Sequence, residues 1–346
     1  MPRSTLESEI LQQPEVISTL LSDERDNVRE MVKEIRGKFN YVLIAARGTS
    51  DNAARYAQYL LGAHNHIQVA LATPSLFSIY QSAPDLTGAL VLGISQSGQS
   101  PDIVSVLAEA NRQDRPTIAI TNDTQSPLAQ ASQYAIPLHA SPEKAVAATK
   151  SYTSSLAALA LLSCCLEDST PRFEDLQRVP EVMRHTITLL QESLRRVERY
   201  RYMNQCSVIG RGYNYATAFE IALKIKELTR VVAEPYSSAD FRHGPIATVS
   251  RSFPVILVSP KGQVHSDMLD LVTRLKTLEA ELLVISEDEK MLEKAHFPLP
   301  IAAGVPEWLS PLVAVLPGQL FAMHLTMAKG LNVDQPEGLT KVTETL

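Results

Sequence analysis

The chain has 346 residues, 45% of them hydrophobic and 20% charged, with a formal net charge of −6 at pH 7. That length and composition suit two domains with a sizeable core, and the acidic balance without a long basic run excludes a nucleic-acid partner. The charged opening of the chain excludes a signal peptide, and no apolar run reads as long enough to cross a bilayer, so a cytoplasmic location is expected.

Residues 1–37 are expected to form a helical arm, because Val16, Leu20, Leu21, Val28, Val32 and Ile35 recur at roughly helical spacing behind a helix start at Ser4-Thr5-Leu6-Glu7. Such an arm packs on its own domain or on a partner subunit. A first α/β domain is expected over 38–166. Its strands are Tyr41 to Ala46, Gln68 to Leu71, Ala89 to Ile94, Thr117 to Thr121 and Tyr134 to Leu138, with helices at Asn52 to Leu61 and after Pro101. Alternation of this kind predicts a parallel sheet covered on both faces, with ligands outside the carboxyl ends of its strands. Two hydroxyl-rich loops, 48–51 and 95–100, fall at such ends.

The second of these, Ser95-Gln96-Ser97-Gly98-Gln99-Ser100, joins an apolar strand to a helix. Free backbone N–H groups and the helix dipole make that junction an anion site, and the serines add neutral donors. The alternative is an ordinary turn whose serines cap the helix. An apolar helix follows at Ser154 to Leu166, and the polar stretch 167–176 reads as an interdomain linker within a 167–200 bridging segment that ends in a long helix, 182–200. Cys164, Cys165 and Cys206 lack metal-type spacing and read as buried thiols of a reducing compartment.

A second domain, 201–330, repeats the first. Ser207 to Gly212 echoes Leu43 to Gly48, Pro254 to Gln263 echoes Leu90 to Gln99, Leu282 to Glu287 echoes Thr117 to Asn122, and Leu299-Pro300-Ile301 echoes Ile136-Pro137-Leu138. In the repeat Pro260 removes a backbone donor and Lys261 replaces Ser97, so the anion loop is expected to survive only in the first copy. Past Gly212 a helix carries Glu220, Lys224 and Glu227 on one face, which by itself reads as a surface ion-pair stripe. The 233–245 segment reads as a loop, and its His243 is followed by a Gly-Pro turn; the other histidines read as structural or solvated, and none is assigned a metal. A tail, 331–346, contains Pro336 and Gly338. It reads either as a frayed end or as a carrier for a mobile cation, Lys341.

Together these segments resemble the sugar isomerase (SIS) family of phosphosugar-binding domains. The likeness is to the tandem isomerase half of glucosamine-6-phosphate synthases and to the stand-alone type II glucosamine-6-phosphate deaminases. It rests on six motifs in the family's order: Arg47-Gly48-Thr49-Ser50, Ser95 to Ser100, Glu143 to Lys150, Ala222 to Glu227, Phe241 to Pro245 and Asp334 to Lys341. The resemblance implies two tandem α/β domains of flavodoxin-like type. It makes Thr49, Ser50, Ser95, Gln96, Ser97 and Ser100 the phosphate binders, with Val146 and Ala148 lining the sugar. Glu227 becomes the carboxylate that moves a proton between C1 and C2, with Lys224 one turn away. His243 becomes the ring-opening histidine, reaching a neighbouring subunit's site in a homodimer, and Lys341 the lysine that closes on substrate.

Two departures follow. Ala148 stands where the synthases carry serine, and no glutaminase domain is read in the chain, so no ammonia from glutamine is expected. The expected reaction is the cofactor-free deamination of glucosamine 6-phosphate, in which an ionised glutamate relays one proton. A galactosamine-6-phosphate deaminase or aldose–ketose isomerase, a fructosamine-6-phosphate deglycase and a non-catalytic sugar-phosphate sensor are the alternatives. A sensor has no need of Glu227, His243 and Lys341 together.

Overall fold

Short runs of aliphatic and β-branched residues, buried on both faces in the central strands, build the first sheet of the computed structural model, which describes residues 3–341. Its strands are β1 (Tyr41–Ala45), β2 (Gln68–Leu71), β3 (Ala89–Ile94), β4 (Thr117–Thr121) and β5 (Tyr134–Pro137). They are all parallel, in the order β2-β1-β3-β4-β5. Every residue of β3 and β4 is buried, which is why these strands read as continuous apolar runs instead of alternating. The Pro101–Arg112 helix lays Ile103, Val106, Leu107 and Ala110 on the sheet, against Leu43, Val91 and Leu128. Gly93 permits that approach, because a Cβ there would stand 2.8 Å from Leu107 Cδ1. This sheet lies in a unit made of Glu15–Glu143, Lys150–Gln177 and the chain from Thr340.

The other unit takes the chain up to Pro14, Lys144–Thr149 and Arg178–Leu339. Its strands are β6 (Gln205–Gly210), β7 (Val232–Ser237), β8 (Pro254–Val258), β9 (Glu281–Ser286) and β10 (Phe297–Pro300), parallel in the order β10-β9-β8-β6-β7. Read from the other edge, this is the first sheet's order again, so the duplication seen in the sequence is a duplication of topology. Tyr200 is wholly buried, packs edge-on against Phe297 at 5.1 Å and donates its hydroxyl to Glu281 at 2.8 Å. Within this unit the Asn214–Thr229 helix packs on the Ser310–Ala328 helix at Gly318, where a side chain would collide with Ile221.

Several expectations need correction. The segment Glu307–Ala328 is long and apolar enough to cross a bilayer by length and composition, contrary to the expectation of no such run, but 83% of its apolar window is buried in the fold. The polar 167–176 stretch is no open linker: Thr170–Gln177 is a helix that buries Phe173 and Leu176, with the Arg25 guanidinium 3.9 Å over the Phe173 ring. The helix expected from Asn52 begins at Gly48, and the one expected from Ser154 begins at Lys150. The long 182–200 helix is two pieces, Val179–Leu194 and a 3-10 turn at Val197–Tyr200. The expected 233–245 loop is the edge strand β7 followed by a short helix, Ser238–Arg242.

Cys164 and Cys206 are buried and Cys165 half-buried, all with free thiols. Burial pushes Cys164 and Cys206 up to about 12 and Cys165 up to about 11. Thiolate is the reactive form, so at pH 8 the folded protein is expected to react with a thiol reagent far more slowly than the unfolded chain. A prompt reaction of all three in the absence of denaturant would contradict the packing.

Candidate functional site

Strands β1 and β3 are neighbours with Ala45 opposite Gly93, so the segments that follow them emerge side by side. This is where the strand order reverses, the place at which such sheets bind ligands. After β1, Arg47 stands just ahead of the Gly48–Asn65 helix, and Thr49 and Ser50, both half-buried, lie in its first turn. After β3 comes the loop Ser95–Ser100, then Pro101 at the first position of its helix. Two helix N-termini thus converge on one edge.

The loop is held by its own serines. Gly98 N–H donates to Ser95 Oγ at 3.1 Å and Gln99 N–H to Ser97 Oγ at 3.3 Å. The main-chain carbonyl of Gln96 accepts from Asn122 N at 3.1 Å. Gly98 has φ +64°, and a Cβ there would collide with Ser126, so only glycine lets the loop lie this close. Ser100 precedes the helix with no side-chain cap bond, so the capping alternative fails for it. Behind the loop, Asp102 is wholly buried and accepts from Arg47 Nε at 2.8 Å. That ion pair ties the two converging segments together. Asp102 carried no signal in the sequence beyond its place in a first helical turn.

Lys341 has an acidic partner in the same unit. Its Nζ donates to Glu143 Oε2 at 2.8 Å, and Glu143, with its side chain fully buried, also accepts from Ser151 N at 3.2 Å and Ser151 Oγ at 2.8 Å. Ser151 was not singled out by the sequence.

In the other unit, the helix-face trio is not a surface stripe. Glu220 and Lys224 are buried, at 0% and 1% exposure, and Lys224 Nζ lies 3.5 Å from Glu220 and 2.5 Å from Glu227. Glu227 alone of the three reaches solvent, with 24% of its side chain exposed. A buried cation flanked by two carboxylates leaves one negative charge at the exposed end. That arrangement can hold a carboxylate ready to accept a proton.

His243 lies elsewhere in this unit. The Asn214–Thr229 helix runs back against β6, so Glu227 sits about 20 Å along it from Asn214, at the amino end of the sheet. His243 follows β7 at the carboxyl end, exposed in the turn after Arg242. One chain does not bring the two together. Val146 and Ala148, both half-buried, lie in a segment pinned at each side. Glu9 accepts from Lys144 N at 2.5 Å and Ala145 N at 3.2 Å, and Val146 N donates to the Asp334 carbonyl at 3.1 Å. Asp334 also takes the N–H groups of Thr5 at 3.1 Å and Leu6 at 2.8 Å, capping the first helix, so the tail at this point is no frayed end.

Comparison with known proteins yields a family model described as "SIS domain" that matches residues 38–163 and 202–329. A glutamine–fructose-6-phosphate aminotransferase (isomerizing) of Aquifex aeolicus is 31% identical over 96% of this chain and 56% of its own length. The chain thus spans a little over half the length of the curated relatives it matches. Among solved structures, the C-terminal domain of glucosamine-fructose-6-phosphate aminotransferase from Francisella tularensis has a TM-score of 0.88 at 27% identity, covering 97% of this chain and 99% of that one. A glucosamine-6-phosphate deaminase from Thermotoga maritima shares the fold, with a TM-score of 0.79 at 22% identity over 99% of this chain and 100% of that one.

Removing one partner from a buried ion pair leaves an uncompensated charge, at a cost of about 3–5 kcal/mol. Lys224→Ala is therefore expected to lose about that much stability in denaturant unfolding. A change below about 1 kcal/mol would show that the carboxylates are not held by the lysine.

Proposed function

We propose that this chain, a member of the SIS-domain family, deaminates an amino-sugar phosphate, converting glucosamine 6-phosphate and water to fructose 6-phosphate and ammonia. The observation that carries the proposal is the partly exposed Glu227 carboxylate backed by the buried Lys224. A surface ion pair has no reason to bury its cation at the cost of desolvation. A proton-transfer site does, because the carboxylate then keeps one charged, fixed geometry.

The roles divide as follows. Ser95, Gln96, Ser97 and Ser100, with Thr49 and Ser50, hold the phosphoryl group through hydroxyls and N–H donors at two helix N-termini. Val146 and Ala148 line the sugar, and Lys341 exchanges Glu143 for the substrate. His243 assists opening of the ring to the aldehyde. Its separation from Glu227 within one chain supports a homodimer in which His243 serves the neighbouring copy. Glu227 then takes the proton from C2 and returns it to C1. The aldehyde carbon becomes a primary alcohol and the C2 amine an imine. Water adds to C2, ammonia leaves, and the ketose phosphate remains. No step calls for a metal or an organic cofactor. The aminotransferase relatives are named for an isomerizing amino transfer involving fructose 6-phosphate. Phosphorylated sugars are retained in the cytoplasm, where this reading puts the protein.

Incubation of the purified chain with glucosamine 6-phosphate should release ammonia and fructose 6-phosphate in equal amounts. Glu227→Gln should still bind the sugar phosphate while turnover falls by about 10²–10⁴-fold, the usual worth of a positioned acid–base group. Tight binding of sugar phosphates without ammonia from any hexosamine phosphate would turn the assignment to a sensor. Full activity in Glu227→Gln would remove the base.

A further inference from the structure

The second copy of the anion loop, Ser259-Pro260-Lys261-Gly262-Gln263, follows β8 and leads into the His265–Thr277 helix. It stands at the same reversal of strand order as its counterpart, here between β6 and β8. Two of its N–H groups each point at an anion, and both anions belong to the protein. Gln263 N donates to Glu307 Oε2 at 2.7 Å, and Lys261 N donates to Glu287 Oε1 at 2.9 Å. In the first copy, Gln99 N, the counterpart of Gln263 N, goes to a neutral serine hydroxyl instead.

Glu307 does not merely brush the loop. It packs so closely over Gly262 that a Cβ on that residue would collide with its carboxyl group. A third carboxylate, Asp288, faces the same loop, 3.6 Å from Lys261 Nζ and 3.9 Å from His265 Nε2. Around this junction polar groups remain in reserve. Ser259 is wholly buried, and its Oγ has no hydrogen-bond partner among the described residues; buried Glu287 Oε2 and His265 Nδ1 likewise have none. Ser259 occupies the position of Ser95, whose hydroxyl does turn into its loop to take the Gly98 N–H. Buried polar atoms without partners are uncommon in folded proteins and ask for an explanation.

We propose that this second loop is an oxyanion site closed by the protein's own carboxylates, with Glu307 in the place of the phosphoryl group. The expectation that the repeat had lost its anion loop is thereby refined. Loop, glycine and helix N-terminus are retained, and the two N–H groups are already charge-paired. Glu307 stands about 164 residues after Glu143, the same offset that relates Gln263 to Gln99 and Ser259 to Ser95. Each copy therefore keeps a glutamate after its fifth strand, used differently. In the first, Glu143 takes Ser151 and Lys341; in the second, Glu307 fills the loop. Three carboxylates at one junction also repel an incoming dianion. The consequence is one phosphoryl group per chain, although the fold has two loops. The closure does not depend on the reaction proposed above.

The test uses the full chain, inorganic phosphate as the probe and the backbone amide resonances of Lys261, Gly262 and Gln263 as the reporter. These report the second loop alone, whatever happens at Ser95–Ser100. In the unaltered protein they should not respond to phosphate. In Glu307→Ala they should, with an affinity at least tenfold tighter than any response of the unaltered protein. Glu307→Gln keeps the shape of the plug and loses its charge, so it should respond at a higher phosphate concentration than the alanine variant. It also decides the matter if the alanine variant fails to fold. Equal responses in the unaltered and substituted proteins, or no response in either variant, would overturn the proposal.

Discussion

An α-helix begins with N–H groups that have no partner of their own, and in this fold those groups must find an acceptor wherever a strand turns into a helix. Much of what is distinctive in the chain is an answer to that requirement. At the first helix the answer is Asp334, whose carboxylate takes Thr5 and Leu6. After β3 it is the Asp102 carboxylate, which takes Ile103 N–H and grips Arg47, while in the loop ahead of the helix the N–H groups of Gly98 and Gln99 go to serine hydroxyls. After β8, in the loop just ahead of the helix, Gln263 N–H goes to a glutamate borrowed from beyond the last strand. A carboxylate acceptor makes a charge-assisted bond with a loop N–H, whereas a hydroxyl acceptor makes a neutral one. The two loops thus differ in which acceptor their N–H groups are given, a hydroxyl in one and a carboxylate in the other.

The same economy explains why the two copies can share a topology and differ in chemistry. Strand order and helix placement follow from apolar runs that each copy retains, and the glycines at 98 and 262 keep both loops tight against their surroundings. Charged and polar groups are then placed at positions the topology leaves free. In the unit that contains β6–β10 a buried charge cluster lies at the far end of the Asn214–Thr229 helix, where Lys224 and Glu227 meet, away from the edge at which such sheets usually bind.

Much of this was legible in the residues. The strands, their repeat and the Ser95–Ser100 loop stand out because β-branched runs, small-residue loops and helical spacing are local signals. What escaped notice depends on burial. Glu220, Lys224 and Glu227 have the spacing of a solvated stripe, and only packing shows that the lysine is enclosed. The 167–176 stretch is polar on average, yet Phe173 and Leu176, three residues apart, are enough to seat a helix. The Ser310–Ala328 helix contains Pro317 and Gly318, which broke up its apolar run to the eye, while the fold uses Gly318 for a close helix contact. Glu307 gave no warning at all. Its partner Gln263 is far away in sequence, and only the duplicated offset hinted at a relation.

The aspartate that closes the first helix has a topological consequence. By joining Asp334 to Thr5 and Leu6 it makes most of the polypeptide into a ring, clasped by two charge-assisted bonds. Closing so long a ring costs only a little more entropy than closing a short one, since the cost grows with the logarithm of its length. Positions 5 and 334, more than three hundred residues apart in the chain, are thus clasped by a single side chain.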